Sequence, residues 1–181
     1  DTIGDGWSVG RLGIFMGASV LDAPVGTEFD LTQANYKITG ADRNEQLGYQ
    51  MASLGDLDGD GLGDLAVSSW TFGDPDGLRT WGRVYIFAGS AIGAATDMSV
   101  ADATVVIEPS LPNWSSRFGM LVYPAGDVDG DGVNDLAIYD NGGDYGSYIF
   151  SGAHLLTSGS NLSTPENSAY YTNKATFCPV G

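Results

Sequence analysis

Eight aspartates, gathered in two short stretches, are the residues of this chain whose type and spacing could do chemistry. In Asp56-Leu57-Asp58-Gly59-Asp60-Gly61-Leu62-Gly63-Asp64 the acids fall at positions 1, 3, 5 and 9, with glycine at 4 and 6. Asp127-Val128-Asp129-Gly130-Asp131-Gly132-Val133-Asn134-Asp135 repeats that framework without a miss. Alternate residues of a curled loop can turn their carboxylates toward one centre, and a hard dication such as Ca²⁺ takes about 6 to 8 oxygens at ~2.3 to 2.6 Å. Glycine at position 6 permits the sharp bend with positive φ. The carbonyls of Leu62 and Val133 at position 7 are the natural main-chain ligands, and Asp64 and Asp135 at position 9 stand where they could close the shell. The pattern predicts two Ca²⁺ sites: Asp56, Asp58, Asp60, Leu62 and Asp64 in one, and Asp127, Asp129, Asp131, Val133 and Asp135 in the other.

Competing readings exist for the same loops. A helix–loop–helix calcium site starts alike but needs a bidentate Glu at position 12; here that position is Val67 or Ile138, inside an apolar, strand-like run. A pair of Asp-Gly hairpin turns with no metal is the plainer alternative. Against it stands crowding, because carboxylates ~4 Å apart repel by on the order of 1 kcal/mol per pair even in water. Magnesium prefers a rigid octahedron and keeps its waters, and zinc would find only His154 and Cys178 as soft ligands. With calcium bound, four carboxylates still leave each loop at about −2. A structural ion is therefore expected, tying the end of one strand to the start of the next.

The elements that must hold these loops repeat with them. Leu47-Gly48, Gly55 to Gly61 and Asp64-Leu65-Ala66-Val67 return as Phe118-Gly119, Gly126 to Gly132 and Asp135-Leu136-Ala137-Ile138, at the 71-residue offset from position 56 to position 127. A second element follows each loop, Gly82 to Gly89 and Gly146 to Gly152, and also opens the chain as Gly10 to Gly17. Such self-similarity marks stacked supersecondary units, none of which buries its apolar face alone. Leu47–Leu54, Leu65–Ser69, Val84–Ala88 and Tyr148–Ser151 read as strands, being short, β-branched or aromatic, and bounded by Gly, Asp or Asn. Asn35–Thr39 and Ala103–Glu108 are expected on the outside of the units whose loops follow them.

Four strands per unit fit a propeller blade better than a sandwich. The predicted fold is all-β, with blades of four antiparallel strands and the Ca²⁺ loops between the first two strands of each full blade. The chain divides into residues 1–34 as a partial blade and connection, 35–102 and 103–152 as full blades, and 153–181 as a tail or the start of another, with Ala169-Tyr170-Tyr171 and Ala175-Thr176-Phe177 as possible outer strands. Two full and two partial blades fall short of the ~4 to 8 that close a ring. The expectation is either a segment of a longer protein or copies that associate to cover exposed edges.

Composition agrees. The 181 residues are 43% hydrophobic, with 27 glycines and 11% aromatics, which favours short strands and tight turns over helix. Against 7 basic residues stand 23 acidic ones, a net charge of −16 that repels phosphate backbones and anionic lipid. Nucleic acid is excluded as a partner, and a salty or extracellular medium suits the charge. No run of 18 apolar residues is present, so membrane insertion is not expected. Cys178 is the single cysteine and excludes an internal disulfide framework. The chain opens at Asp1 with no signal-like segment, as if a piece upstream were missing.

These residues together resemble the FG-GAP repeat family, the blades of integrin-alpha propellers and of many bacterial and archaeal surface proteins. The resemblance covers Asn35 to Gly152, with Arg11 to Gly17 as the remnant of a preceding blade. Leu47-Gly48 and Phe118-Gly119 stand at the family's Phe-Gly, and the aspartate loops stand where the family binds calcium. Ser68-Ser69-Trp70 and Tyr139-Asp140-Asn141 depart from its Gly-Ala-Pro. The resemblance implies an extracellular or cell-surface setting and a role in adhesion or recognition of a protein or glycan.

An enzyme is not expected, because lone His154 has no Ser or Cys motif beside it and the patterned carboxylates already have a use. FG-GAP blades also occur attached to hydrolases, which leaves a non-catalytic part of a larger hydrolase as an alternative. For a binding module the candidate surface is Trp70 to Trp81, with Asn113-Trp114 and Tyr139 to Tyr145, rich in residues that anchor interfaces; the plainer reading is that Trp70 and Trp81 wedge between blades. A self-assembling filament or surface-layer subunit is the third alternative. Asn113-Trp114-Ser115 and Asn161-Leu162-Ser163 match the glycosylation triplet, a weak signal.

Overall fold

Short apolar runs punctuated by glycine and aspartate fold into short strands. A computed structural model describes residues 2–3, 7–73, 80–109, 116–141, 146–156, 161–164 and 170–173. In chain order the strands are β1 (Thr2–Ile3), β2 (Trp7–Ser8), β3 (Arg11–Ile14), β4 (Tyr36–Thr39), β5 (Met51–Gly55), β6 (Asp64–Ser69), β7 (Arg83–Phe87), β8 (Asp97–Ser99), β9 (Val105–Pro109), β10 (Leu121–Gly126), β11 (Asp135–Asp140), β12 (Gly146–Phe150), β13 (Asn161–Thr164) and β14 (Tyr170–Asn173). Helix among the described residues is confined to α1 (Gly17–Leu21), α2 (Gly89–Ala94), α3 (Gly152–Leu155) and two 3-10 turns. Outside the described residues lie 74–79 and 142–145 of the aromatic stretches, Asn113-Trp114-Ser115, Ala169, Ala175-Thr176-Phe177 and Cys178, together with the side chains of Asn161 and Ser163.

The strands form three larger sheets. β10-β11-β12-β14 is four-stranded and antiparallel throughout. β5-β6-β7-β9 has the same antiparallel order and gains a fifth strand, β13, parallel to β9. In the third sheet β3 pairs antiparallel with β4, and β8 lies parallel to β4. After α2 and again after α3 the chain thus crosses to the preceding sheet and covers its outer edge. An edge covered this way no longer offers unpaired N–H and C=O groups to other chains.

Two strand assignments need correction. The sequence groups Asn35–Thr39 and Ala103–Glu108 with the loops that follow them, whereas hydrogen bonding joins β4 to β3 and β9 to β7, the strands before them. The cause is a compact reversal ahead of each. Asp30 and Ser99 cap 3-10 turns at Leu31–Gln33 and Val100–Asp102, with Gln33 and Asp102 reaching back to the capping N–H. The turn sends the chain back along the sheet it has just left, where an antiparallel neighbour is the nearest partner. Tyr170–Asn173 pairs with β12 as an outer strand.

β6 and β7 of the five-stranded sheet are buried on both faces, because alternate residues of one strand point to opposite sides. Ala66, Val84 and Ile86 share a core with Phe118, just ahead of β10, and with Leu136, Ile138 and Phe150 of the four-stranded sheet. Val67, Tyr85 and Phe87 meet Leu12, Ile38 and Met98 of the three-stranded one. Sheets stack so closely that glycine is required at the contact. A Cβ on Gly82 would lie 2.0 Å from the Phe118 carbonyl oxygen, and one on Gly10 2.1 Å from the Leu47 nitrogen. The Leu47-Gly48 and Phe118-Gly119 corners therefore dock on the glycine that opens the third strand of the unit before.

Candidate metal centres

Each aspartate loop joins a pair of antiparallel strands, β5 to β6 and β10 to β11. A register shift interrupts both hairpins at the same place, between Ser53 and Gly55 and between Pro124 and Gly126. Gly55 and Gly126 sit there at φ 75° and 73°, a left-handed turn that swings the chain out of the sheet. Position 6, occupied by Gly61 and Gly132, also has positive φ, as the bend requires.

Inside the loops the first aspartate organises the backbone. Asp56 accepts from the N–H groups of Gly59 at 2.7 Å, Asp60 at 3.1 Å and Gly61 at 2.8 Å. Asp127 accepts from Gly130 at 2.7 Å, Asp131 at 3.0 Å and Gly132 at 2.9 Å. The Gly61 N–H, with smaller help from Gly59 and Asp60, holds the Asp56 carboxyl below the usual carboxylate range. Asp60 and Asp131 accept from the N–H of Leu62 and Val133 at 2.7 and 2.8 Å. Those bonds fix the peptides at position 7.

The ninth position has a second task that spacing does not reveal. Asp64 is buried, and its two oxygens accept from Leu57 N–H at 2.7 Å and Gly89 N–H at 2.8 Å. Asp135 repeats this with Val128 at 2.8 Å and Gly152 at 2.9 Å. The last acid of each loop thus bolts it to the start of α2 or α3. Burial pushes the Asp64 carboxyl up, opposed by its two N–H donors and reinforced by the charges of Asp58 and Asp60. The one signal of this task in the sequence is the recurrence of Gly89 and Gly152 after the third strand.

Carboxylate oxygens of Asp56, Asp58 and Asp60 lie within 4.8 Å of one another, as do those of Asp127, Asp129 and Asp135. Two ligands on opposite sides of one calcium at ~2.4 Å are ~4.8 Å apart, so the spacing within each group is of the size that a shared cation requires. The two groups differ in one member: Asp64 stands outside the first and Asp131 outside the second. Leu62 is 48% exposed, while Val133 packs partly against the core.

Other sequence candidates fall elsewhere. His154 is in the last turn of α3 and exposed. Trp70 lies between Tyr49, with ring centroids 5.4 Å apart, and the Arg117 guanidinium at 5.6 Å, so it wedges between two sheets. Trp81 packs edge-on against Phe72 at 6.1 Å. Sequence reasoning missed Glu45, which is fully buried, accepts from the N–H groups of Ala41 at 2.7 Å and Asp42 at 3.0 Å, and takes the Tyr85 hydroxyl. No helix among the described residues is long and apolar enough to cross a membrane.

No protein-family model matches the chain. Curated relatives do match it: integrin alpha-PS2 of Drosophila melanogaster is 36% identical over 129 residues, 66% of this chain and 9% of the relative. Human integrin alpha-IIb is 32% identical over 133 residues, 72% of the chain and 11% of the relative. Integrin alpha-PS5 of Drosophila melanogaster is 28% identical over 138 residues, 76% of the chain and 12% of the relative. The chain therefore spans about a tenth of the length of these relatives. Through the part these alignments cover, stacked β-sheets with paired aspartate loops make the chain an integrin-alpha-type FG-GAP region.

Proposed function

We propose that the chain is a calcium-stabilised adhesion or recognition module that works outside the cell or at its surface, built as propeller blades. The observation that carries the reading is the pair of three-carboxylate groups in repeat phase, inside a region similar to integrin alpha chains. Asp56, Asp58, Asp60 and Asp64 with the Leu62 carbonyl would hold one ion, and Asp127, Asp129, Asp131 and Asp135 with the Val133 carbonyl the other. Bound calcium supplies positive charge that relieves the repulsion among these acids. The chain's own residues supply the rest: bulge glycines aim the loops, Asp56 and Asp127 shape them, and Asp64 and Asp135 anchor them to the helices. The role is binding rather than catalysis, since the acids with a pattern are spent on loop structure.

Its partner is a protein or a glycan. Further sheets, in another chain or in a second copy, are proposed beside β3. In the five-stranded sheet β7 pairs with β6 on the side away from β9, whereas β3 has β4 as its neighbour and, among the described residues, no strand on its other side. Beside it runs a cleft of about 560 Å³ lined by Leu12, Ile14, Met16, Met51, Leu62 and Ile92. That uncovered edge is also what favours self-association as a second reading.

The test is calorimetric titration of the purified chain with calcium chloride, followed by melting with and without chelator. Two ions per chain are expected, with a lower Tm on chelation that added calcium restores. At calcium ~100-fold above Kd, each site should add about 2.7 kcal/mol. An unchanged Tm in both conditions removes the structural ion from the account.

A further inference from the structure

The two loops touch each other's supports. The Asn134 carboxamide N–H donates to the Leu54 carbonyl at 3.2 Å, across 80 residues of chain. Asn134 is position 8 of the second loop, between Val133 and the clustered acid Asp135. Leu54 is fully buried, and its carbonyl belongs to the peptide that enters Gly55, the bulge residue next to Asp56. A bond to that carbonyl fixes the peptide that delivers the first acid of the first loop.

Asn134 is held from behind as well. A Cβ on Gly152 would lie 1.9 Å from the Asn134 carbonyl oxygen, so the backbone of Asn134 is pressed against the start of α3. Asp135, the next residue, accepts from the Gly152 N–H. On the front side the approach is equally close, since a Cβ on Gly55 would meet the Asn134 carboxamide nitrogen at 3.1 Å. The first loop has Gly63 at the equivalent place, with no side chain and nothing within 4 Å of a Cβ built there.

We propose that Asn134 is a positioning residue that couples the two loops, so that ordering of the second loop by a cation favours the binding geometry of the first. The proposal rests on the calcium reading above. Without a cation, repulsion among Asp127, Asp129 and Asp135 loosens the backbone that carries Asn134. With one, the carboxamide is brought to the Leu54 carbonyl, and the entry to Asp56 is fixed. A ligand shifts an equilibrium only through such a difference between states, and the effect is reciprocal. One neutral hydrogen bond supports a coupling of about two- to tenfold in affinity.

The experiment is a calcium chloride titration of the full chain followed by amide NMR, in which the Gly61 signal reports the first loop and Gly132 the second. Asp127→Ala silences the second loop, and Asp129→Asn does so more gently should the first variant fold poorly. Silencing is expected to weaken the first loop by about fivefold in the wild type. In an Asn134→Ala background the same change should leave the first loop unmoved. Equal weakening with and without Asn134, or no weakening in either, overturns the coupling and leaves the calcium sites standing. Absence of any calcium-dependent shift in the wild type overturns both.

Discussion

The unit around the first loop and the unit around the second solve the same corner with exchanged residues. The offset that carries Asp56 to Asp127 carries Glu45 to Ser116 and Ser69 to Asp140. In the first unit the acid precedes the first strand, where Glu45 is fully buried, and the Ser69 hydroxyl donates to the Glu45 carbonyl. In the second the hydroxyl comes first: Ser116 donates to the Asp140 carboxylate at 2.8 Å, and the Arg117 N–H joins it at 3.0 Å. Both acids end the same way, buried and surrounded by donors. In both units a hydroxyl at this corner finds an acceptor, the main-chain carbonyl of Glu45 in the first and the Asp140 carboxylate in the second.

Glu45 also anchors a longer network. Besides two backbone donors it takes the Tyr85 hydroxyl, which in turn accepts from Arg83 at 3.3 Å, and Arg83 pairs with Glu108 while its guanidinium lies 3.5 Å over the Phe72 ring. Burial, followed by the Glu45 charge, pushes the Tyr85 hydroxyl far up, so it stays a donor at any physiological pH. Glu45→Ala leaves three donors without their acceptor, and the expected loss is about 3 kcal/mol. Asp140→Ala removes the acceptor of the Ser116 hydroxyl and the Arg117 N–H and should lose about 2 kcal/mol. Urea denaturation of both variants measures the difference. A larger loss at Asp140 would mean that the network through Tyr85 and Arg83 carries little weight.

The anchoring of the loops to the helices can be broken in the same paired way. A Cβ on Gly152 meets the Asn134 carbonyl oxygen at 1.9 Å, whereas one on Gly89 meets the Leu62 Cβ at 2.6 Å and the Gly63 carbonyl oxygen at 2.8 Å. Backbone must shift in both cases, and further in the second unit. Gly152→Ala should lower stability by about 2 kcal/mol and Gly89→Ala by about 1 kcal/mol, within the usual range for overpacking. Thermal melts of the two variants at saturating calcium give the ranking. Equal losses would show that the two anchors are equally tight.

Chemistry confined to a few neighbouring residues is legible in the sequence. Acids at alternate positions and glycines at bends declare a loop within nine residues, and strands announce themselves by their apolar runs. Non-local pairing is not legible. The alternation in Tyr36–Thr39 or Val105–Pro109 says which face is buried, not which strand lies alongside, and the capped 3-10 turns that decide it are short polar segments without periodicity. Glu45 reads as one more surface acid, because its hydroxyl partner Tyr85 is 40 residues away. Asn134 reads as a neutral stand-in for Gly63, because the carbonyl it reaches belongs to another sheet.

The finest difference between the units concerns position 5. Asp60 shares the first three-carboxylate group with Asp56 and Asp58, but in the second loop the buried Asp135 takes that place and Asp131 stands apart. Both residues hold the position-7 peptide through the same backbone bond, so that loss is common to the pair. What differs is the carboxylate that would be withdrawn from the ion. Asp60→Ala should weaken calcium at its own loop by on the order of tenfold, about 1.4 kcal/mol, and Asp131→Ala by about threefold. Site-resolved titration separates the two, because each variant leaves the other loop as an internal reference. Equal losses would show that calcium draws Asp131 into its shell, and that the ligand sets of the two loops are the same once an ion is bound.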